Sequence, residues 1–400
     1  RLLQSVLANY LNLGGAALSG LNLAFADMGG ANLNLANLAN SSLHYTNFSG
    51  ADLGGADISD TYLDHTDLSD ASLASAILHN THINSGTNLS NADMSNADLA
   101  GASQVGQLAA CPAQLPDAAW HCENNALFGP GFTLSSVNLD GANLQQVDMS
   151  TMSLSYIHAV ALSQCPSGLP ASWDCIFNNT LIGPTADLAD ADLTGIDLSY
   201  RDLREVILRY TNLSYANLSH SNLAGNPHFS ANVQNANLSF ADLSDTYASD
   251  FTNTNLSYAN LTNITGSPIH LSGSNLTGVN LAVINLEAGA QIRGTNLIAC
   301  PAIPPPGWEC RSLTLLGPTA YLAYATLDNM DLSGLDLSYA TLLGASLVGA
   351  NLTGANLENT ILEGADTTGA NFTATILDNN IRPLDALYLG SSTREHQQAH

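Results

Sequence analysis

The chain has 400 residues, 45% of them hydrophobic, with 34 Asp and Glu against 8 Lys and Arg, which gives a formal net charge of −26. All of the basic residues are arginines, so the composition excludes a catalytic lysine, and it offers no basic surface of the kind that binds nucleic-acid phosphates. The hydrophobic residues are spread along the chain, and no run approaches the ~18 apolar residues of a membrane span.

The first ten residues differ from the rest of the chain. They carry apolar residues at the spacing of one helix face, which predicts a short cap or junction segment over residues 1–10. The apolar stretch of a secretory signal peptide is missing from this segment. We therefore expect a mature, processed N-terminus. The apolar residues are Leu2, Leu3, Val6, Leu7 and Tyr10.

A five-residue repeat begins at about residue 11 and continues to about residue 378. From Ala51 to Ser75 the chain reads Ala-Asp-Leu-Gly-Gly, Ala-Asp-Ile-Ser-Asp, Thr-Tyr-Leu-Asp-His, Thr-Asp-Leu-Ser-Asp and Ala-Ser-Leu-Ala-Ser. Each unit contains a small residue, a polar residue, a leucine or similar apolar residue, and two variable residues. This period is neither that of a helix nor that of a strand, and such a repeat determines the whole fold.

The repeat resembles the pentapeptide-repeat family. The resemblance implies an all-β fold, a right-handed quadrilateral parallel β-helix (a solenoid) with four pentapeptides per coil. The central leucine and the small residue two positions before it would point inward. Because one coil cannot bury its apolar face alone, stability would come from stacking on neighbouring coils. We expect residues 11–378 to form a single elongated domain.

Three copies of one cassette interrupt the repeat, at about residues 103–131, 160–184 and 299–318. In each copy Cys-Pro is followed by Trp-x-Cys and then by Gly-Pro. This arrangement predicts three local disulfides that close loop insertions, and it indicates an oxidising compartment. Reduced cytosolic thiols are the alternative, and zinc is disfavoured because no cassette supplies four ligands. The predicted pairs are Cys111 with Cys122, Cys165 with Cys175, and Cys300 with Cys310.

Each cassette also contains one tryptophan, which we expect to pack over its own disulfide or against the coil. If the protein is a binding scaffold, these tryptophans are the first candidate contacts for a partner. They are Trp120, Trp173 and Trp308.

The last segment, residues 379–400, leaves the repeat pattern and forms a polar non-repeat tail. If this tail and residues 1–10 reach into a neighbouring copy, they would supply the junction of a head-to-tail assembly.

The polar residue before each leucine is most often Asp or Asn, and residues twenty apart should lie above one another. Asp27, Asn47 and Asp67 alternate along one such ladder, which dilutes like-charge repulsion and lets amides hydrogen-bond along it. We interpret the carboxylates as a solvated face with at most weak Ca²⁺ binding, and we expect no cofactor. His79 and His82 would point in different directions around a corner, so we expect no metal site.

Asn-x-Ser/Thr sequons occur thirteen times, and the repeat itself generates most of them. We expect these side chains to point outward, where a glycosyltransferase could reach them. The candidate sites are Asn40, Asn47, Asn88, Asn178, Asn212, Asn217, Asn237, Asn255, Asn260, Asn263, Asn275, Asn351 and Asn371.

No catalytic motif stands out, and exposed carboxylates lack the burial that tunes a catalytic pKa, so we expect no enzyme. The disulfides favour an extracellular or cell-surface structural or interaction protein. The strand edges that end a β-helix favour a head-to-tail filament of identical copies.

Two alternative functions stay open. The family resemblance implies one of them, an acidic rod that mimics DNA and binds a DNA-handling protein such as gyrase. The other is a secreted scaffold that binds a protein or a glycan. The state of the thiols separates the filament from the DNA mimic, and the oligomeric form separates the filament from the scaffold.

Overall fold

The computed structural model describes residues 11–377, with gaps at 177, 228, 249, 267–268 and 285–290. The chain forms two compact units, Arg1–Ala189 and Asp190–His400. The expected N-terminal cap and the expected C-terminal tail, 379–400, lie outside the described residues. The expectation of a single domain stays a prediction.

The backbone of each pentapeptide bonds to the coils on both sides. In the unit that begins at Ala51, the N–H of Asp52 donates to the carbonyl of Ala31 in the preceding coil, at 2.9 Å. The N–H of Leu53 and that of the fifth residue donate to carbonyls of the following coil, at 2.7 and 2.9 Å. Three of the five backbone donors therefore hold neighbouring coils together.

The other two donors close the corner. The N–H of Ala51 donates to the carbonyl of Phe48, three residues earlier, at 2.9 Å. The N–H of Gly54 donates to Oδ1 of Asp52, at 3.0 Å. All five backbone donors of this unit are thus satisfied, as buried and half-buried backbone requires. Where Asp or Asn precedes the leucine, as Asp52 does here, its Oδ1 accepts the one N–H that neither stacking nor the turn can use.

Each coil has twenty residues and four sides. In the first unit Asn12, Ala17, Asn22 and Asp27 each pair in parallel with the residue twenty positions later. In the second unit Asp192 pairs with Asn212 in the same way. The predicted all-β quadrilateral β-helix is confirmed, and no described residue is helical.

The core is a stack of the central apolar residues with small residues between them. Leu53 and Leu73 are completely buried, as is the small residue Ala56. Threonine at the small position is tolerated because its hydroxyl finds a backbone carbonyl. Thr61 Oγ1 donates to the carbonyl of Ile58 at 2.7 Å, which satisfies a polar group inside the core.

The described part of the first unit contains eight short strands. Four of them, β1, β2, β5 and β6, form one parallel sheet in that order, and β3–β4 and β7–β8 are antiparallel hairpins. One extra residue near Gly86 lengthens the register after β1, so Asp67 pairs with Asn88, twenty-one residues later. The strands are β1 His82–Asn84, β2 Ser103–Val105, β3 His121–Glu123, β4 Ala126–Phe128, β5 Thr133–Ser135, β6 Ser153–Ser155, β7 Asp174–Ile176 and β8 Thr180–Ile182.

The second unit contains the remaining four strands. Strands β9 and β10 pair in parallel, and β11 and β12 form a third antiparallel hairpin. One coil is shortened near Ala248, where Asn237 pairs with Asn255, eighteen residues later. The strands are β9 Ile269–His270, β10 Ile292–Arg293, β11 Glu309–Arg311 and β12 Thr314–Leu316.

Each cassette adds a hairpin to one coil. The register lengthens to thirty residues between Ser103 and Thr133 in the first cassette and to twenty-nine between His158 and Asp187 in the second. The hairpins are β3–β4, β7–β8 and β11–β12. The middle residue of the second strand is a completely buried leucine in all three hairpins, so each hairpin is fixed to the core: Leu127, Leu181 and Leu315.

The cassette tryptophans pack against the glycine of the Gly-Pro pair. In the second cassette a Cβ on Gly183 would overlap the indole ring of Trp173, and Gly129 and Gly317 face their tryptophans in the same way. The glycine is therefore required for close contact with the ring, not for an unusual backbone angle. This contact explains why Gly-Pro follows every cassette.

Asp and Asn side chains form ladders that run across the coils in one direction. Asn217 Nδ2 donates to Oδ1 of Asp197 at 3.0 Å, and Asn237 Nδ2 donates to Oδ1 of Asn217 at 3.1 Å. Asn255 and Asn275 continue this ladder with bonds of 2.9 and 3.1 Å. The donor always lies on the later coil, so Asp can begin a ladder but cannot continue one.

We expect Gly183→Ala to lower the free energy of unfolding by about 1–3 kcal/mol, because the new methyl group overlaps the Trp173 ring in a packed site. Denaturant unfolding followed by tryptophan fluorescence measures the change. Gly14→Ala is the control, since the nearest atom would lie at 3.4 Å and the residue has an ordinary φ. Equal stability of the Gly183→Ala variant and the native chain would contradict the packing role of the glycine.

The direction of the ladder can be tested with two opposite substitutions. Asn217→Asp removes the donor to Asp197 and places two carboxylates on adjacent coils. We expect a loss of roughly 1–2 kcal/mol at pH 7, and a smaller loss at pH 3, where the new carboxyl can donate. Asp197→Asn keeps the acceptor oxygen, so the free energy of unfolding should change by less than about 0.5 kcal/mol. Similar losses in both variants would show that ladder direction is unimportant.

Candidate functional site

All six cysteines form disulfides, one within each cassette. The Cα–Cα distances are 5.9, 6.1 and 6.0 Å, within the ordinary range for this bond. Each bond joins the loop before the hairpin to the first hairpin strand. The pairs are Cys111–Cys122, Cys165–Cys175 and Cys300–Cys310, as predicted from the sequence.

The tryptophans proposed as partner contacts are buried. Trp120, Trp173 and Trp308 are 9%, 7% and 6% exposed. Each ring lies against its glycine, and Trp120 also meets Phe132 edge to face at 5.3 Å. The rings therefore stabilise the cassette and leave little surface for a partner. This burial favours the expected packing role of the tryptophans over a role as contacts for a partner.

The outer faces carry carboxylates that are held in fixed orientations. The hydroxyl and then the backbone N–H of Thr194 lower the pKa of Asp192, and Thr368 lowers the pKa of Asp366 in the same way. The backbone N–H of Ser150, with a smaller contribution from its hydroxyl, lowers the pKa of Asp148. Hydrogen bonds to the charged form favour ionisation. These carboxylates are therefore ionised at neutral pH and contribute to the negative charge of the outer faces.

The histidines do not converge on a metal site. His79 Nε2 lies 2.8 Å from Asp98, and this contact lowers the pKa of Asp98. His82 Nδ1 instead lies 2.8 Å from the hydroxyl of Ser103. Within residues 11–377, apart from the gaps, no group of three or more His, Cys, Asp or Glu side chains is placed to hold a metal ion. Weak Ca²⁺ binding to the acidic outer faces stays a proposal.

Two of the arginines are paired with acidic neighbours. Arg204 lies 2.6 Å from Asp202, and Arg311 lies 2.8 Å from Glu309. These contacts partly neutralise the few positive charges of a strongly acidic chain. In the part of the chain that the structure describes, no helix is long and apolar enough to span the membrane.

A column of stacked rings lies on one corner of the first unit. Phe25 stacks on Tyr45 with ring centroids 5.1 Å apart, and Tyr45 stacks on His65 at 4.7 Å. Phe25 and Tyr45 are 65% and 50% exposed. All three occupy the left-handed turn position, with φ between 52° and 61°, which costs an ordinary residue roughly 1–2 kcal/mol.

A longer column lies on the second unit. Tyr200, His220, Phe240 and Tyr258 stack at centroid distances of 4.6, 4.8 and 5.0 Å. Ring stacking contributes about 0.5–1.5 kcal/mol per pair and offsets part of the turn strain. Neither column was predicted from the sequence, although an aromatic or histidine residue at near twenty-residue intervals was the signal.

The candidate glycosylation sites fall into two structural classes. Eleven of the thirteen asparagines use Nδ2 to bond a side chain of the preceding coil: Asn47, Asn88, Asn212, Asn217, Asn237, Asn255, Asn260, Asn263, Asn275, Asn351 and Asn371. The other two, Asn40 and Asn178, are exposed and have positive φ, 59° and 53°.

The family model "Pentapeptide repeats" matches eight segments of the chain. They are residues 16–55, 51–84, 85–103, 186–225, 230–265, 249–300, 320–354 and 350–379. A search of curated proteins finds no match.

Several solved structures are similar to the chain at low identity. HetL, a pentapeptide repeat protein involved in heterocyst differentiation regulation from the cyanobacterium Nostoc sp. strain PCC 7120, is 19% identical over 92% of this chain and 90% of its own, with a TM-score of 0.23. A pentapeptide repeat protein from the Arabidopsis thaliana thylakoid lumen is 24% identical over 32% of this chain and 70% of its own, with a TM-score of 0.17.

QnrB1, a plasmid-mediated fluoroquinolone resistance protein, is 14% identical over 72% of this chain and 90% of its own, with a TM-score of 0.12. The segments that match the family model span more than half of the chain. The chain belongs to the pentapeptide-repeat family.

Proposed function

We propose that the chain is a structural or interaction protein that works outside the cytoplasm, in an oxidising compartment. The observation that carries this proposal is the pairing of all six cysteines in three copies of one cassette. Disulfides persist in secreted and surface proteins and are rare where glutathione keeps thiols reduced. Their repetition indicates a selected feature and not a chance approach of two thiols.

The cassettes need this reinforcement because they lie outside the regular repeat. A hairpin of two three-residue strands, such as β7–β8, is marginal by itself in water. Each disulfide closes a loop of ten or eleven residues, which stabilises by a little under ~3 kcal/mol on the chain-entropy estimate. In a reducing compartment this contribution would be lost from all three cassettes.

The outer faces are suited to a partner and not to catalysis. The outer carboxylates are ionised and held by hydrogen bonds, and stacked rings are exposed on the same units. A negatively charged surface of this kind attracts cations and basic proteins and repels anionic ones. We therefore retain the prediction that the protein is not an enzyme and that it acts as a scaffold.

The thiol state of the native protein tests the compartment. We expect no free thiols when protein from its natural source is denatured and alkylated without reductant, and six modified cysteines after reduction. Intact mass spectrometry measures both. A Cys165→Ser/Cys175→Ser variant controls for incomplete alkylation, because it can take up only four labels after reduction. Six free thiols in the native sample would contradict the proposal and favour the cytosolic DNA-mimicking alternative.

We further propose that copies of the chain associate end to end. Central residues inside the repeat, such as Leu33 and Leu352, are completely buried, whereas Leu13 and Leu377, in the first and last described coils, are half-buried. An added coil from another copy would cover this apolar surface and continue the backbone ladder. Such a contact is heterologous and propagates without closing.

Negative-stain electron microscopy without reductant tests this association. We expect unbranched fibres whose abundance rises with protein concentration. Leu377→Asp should shift the population to isolated particles, because it places a charge in the contact. Ile361→Asp, on an exposed outer position, is the control for added charge alone. Isolated particles of the native chain at every concentration would contradict filament formation and favour a scaffold that does not polymerise.

A further inference from the structure

The sequons differ in what their amide nitrogen does, and this difference selects the positions that can carry a glycan. N-linked sugar is attached to Nδ2 of asparagine. In eleven sequons Nδ2 already bonds across the coils, as in Asn47, which donates to Asp27 at 2.9 Å. A sugar on that nitrogen would have to fit between side chains whose coils lie only ~4.8 Å apart.

The Asn40 amide makes no ladder hydrogen bond because of the residue that precedes it in its column. It occupies the fifth position of its pentapeptide, and the residue twenty positions earlier is Gly20, which has no side-chain acceptor. Asn263 occupies the same kind of turn position, but it lies above Asp245 and donates to it at 3.1 Å. The preceding residue in the column, and not the turn itself, therefore decides whether the amide is engaged.

The Asn178 amide makes no ladder hydrogen bond because the residue lies in a hairpin and not in a regular coil. It follows strand β7 at the tip of the second cassette hairpin, where Asn178 and Asn179 both have positive φ. Asn179 turns inward and donates Nδ2 to the carbonyl of Leu162 at 3.0 Å. Asn178 is exposed, and among the described residues no group accepts a hydrogen bond from its Nδ2.

We propose that the folded protein carries N-linked glycan at Asn40 and Asn178 and not at the eleven ladder asparagines. This inference rests on the proposed location outside the cytoplasm. The donor is an oligosaccharide linked to a polyprenyl pyrophosphate. The amide nitrogen attacks C1 of the first sugar, the C1–oxygen bond to pyrophosphate breaks, the lipid pyrophosphate leaves, and the amide gives up one proton.

Selection would act through folding. Sequon recognition needs the hydroxyl two residues after the asparagine, and Thr180 is completely buried once β8 forms, so transfer precedes closure of the hairpin. Chains modified at a ladder position keep one Nδ2–H, but the sugar must displace the neighbouring side chain of the adjacent coil. Such chains should be retained or degraded, whereas chains modified at the two free positions fold normally.

The test is secretion of the full chain from a glycosylating eukaryotic cell, followed by glycopeptide mass spectrometry of the folded, secreted protein. We expect occupancy at Asn40 and Asn178 and none above background at the ladder sites. Comparable occupancy at ladder positions such as Asn217, or bare amides at both Asn40 and Asn178, would overturn the proposal.

Hydroxyl substitutions give matched variants that leave every asparagine in place. Ser42→Ala and Thr180→Val should each remove one glycan from the intact mass. The Thr180 hydroxyl is buried without a partner, so valine should be tolerated. Ser49→Ala and Ser219→Ala destroy two ladder sequons and should leave the mass unchanged. Loss of glycan mass from either ladder variant would contradict the assignment.

Thiol counting on protein from its natural source, run beside the glycopeptide analysis, separates the two proposals, because secretion from a eukaryotic cell oxidises thiols whatever the native compartment. Free thiols together with glycan confined to Asn40 and Asn178 would contradict the proposed compartment. They would still support the proposal that only these two asparagines are glycosylated. Paired thiols together with glycan on the ladder asparagines would support the compartment and contradict the assignment of glycan to Asn40 and Asn178.

Discussion

One backbone N–H in each pentapeptide has no backbone partner, and much of the repeat's composition follows from how this donor is satisfied. Stacking of coils uses three donors of each pentapeptide and the corner uses a fourth, which leaves the N–H of the residue after the central leucine without a backbone partner. An unsatisfied donor of this kind costs about 1–3 kcal/mol, and the repeat presents it at every side of every coil. The oxygen of Asp or Asn two residues earlier accepts it, as Asp52 does for Gly54. Where the polar position holds Asp or Asn, that side chain therefore has a structural role as well as a surface one.

The same requirement produces the charge of the protein and its ladders. Asp and Asn satisfy the N–H equally, but only Asn has a donor left for the preceding coil, as in the bond from Asn47 to Asp27. A face made only of Asp would stack carboxylates at the inter-strand spacing and be destabilised by repulsion. A face that alternates Asp with Asn keeps a high negative charge while each amide links two coils. The acidic surface and the stability of the stack are thus two results of one side-chain choice.

The sequence predicted the fold and the disulfides well, because both depend on periods and spacings that can be read directly. The five-residue period predicted the coil, and the paired cysteines marked the three insertions. The aromatic columns were missed because Tyr45 and His65 stack only when the twenty-residue coil brings them together. The contact of Trp173 with Gly183 was not predicted, because it depends on hairpin packing, which spacing alone does not define.

The cassettes show where the repeat stops being self-sufficient. In a regular unit such as Ala51–Gly55 every backbone donor finds its partner within the pattern, but a hairpin inserted into a coil must make its own contacts. The first cassette uses the buried side chain of Gln104, which accepts the N–H of Leu127 at 2.9 Å, and the second uses the carbonyl of Ala159 for Leu181 at 3.0 Å. Different contacts serve the same position, whereas the disulfide and the tryptophan against glycine recur in all three copies. What the copies share is the covalent bond and the ring packing, so the cassettes depend on the redox state of their surroundings in a way that the repeat does not.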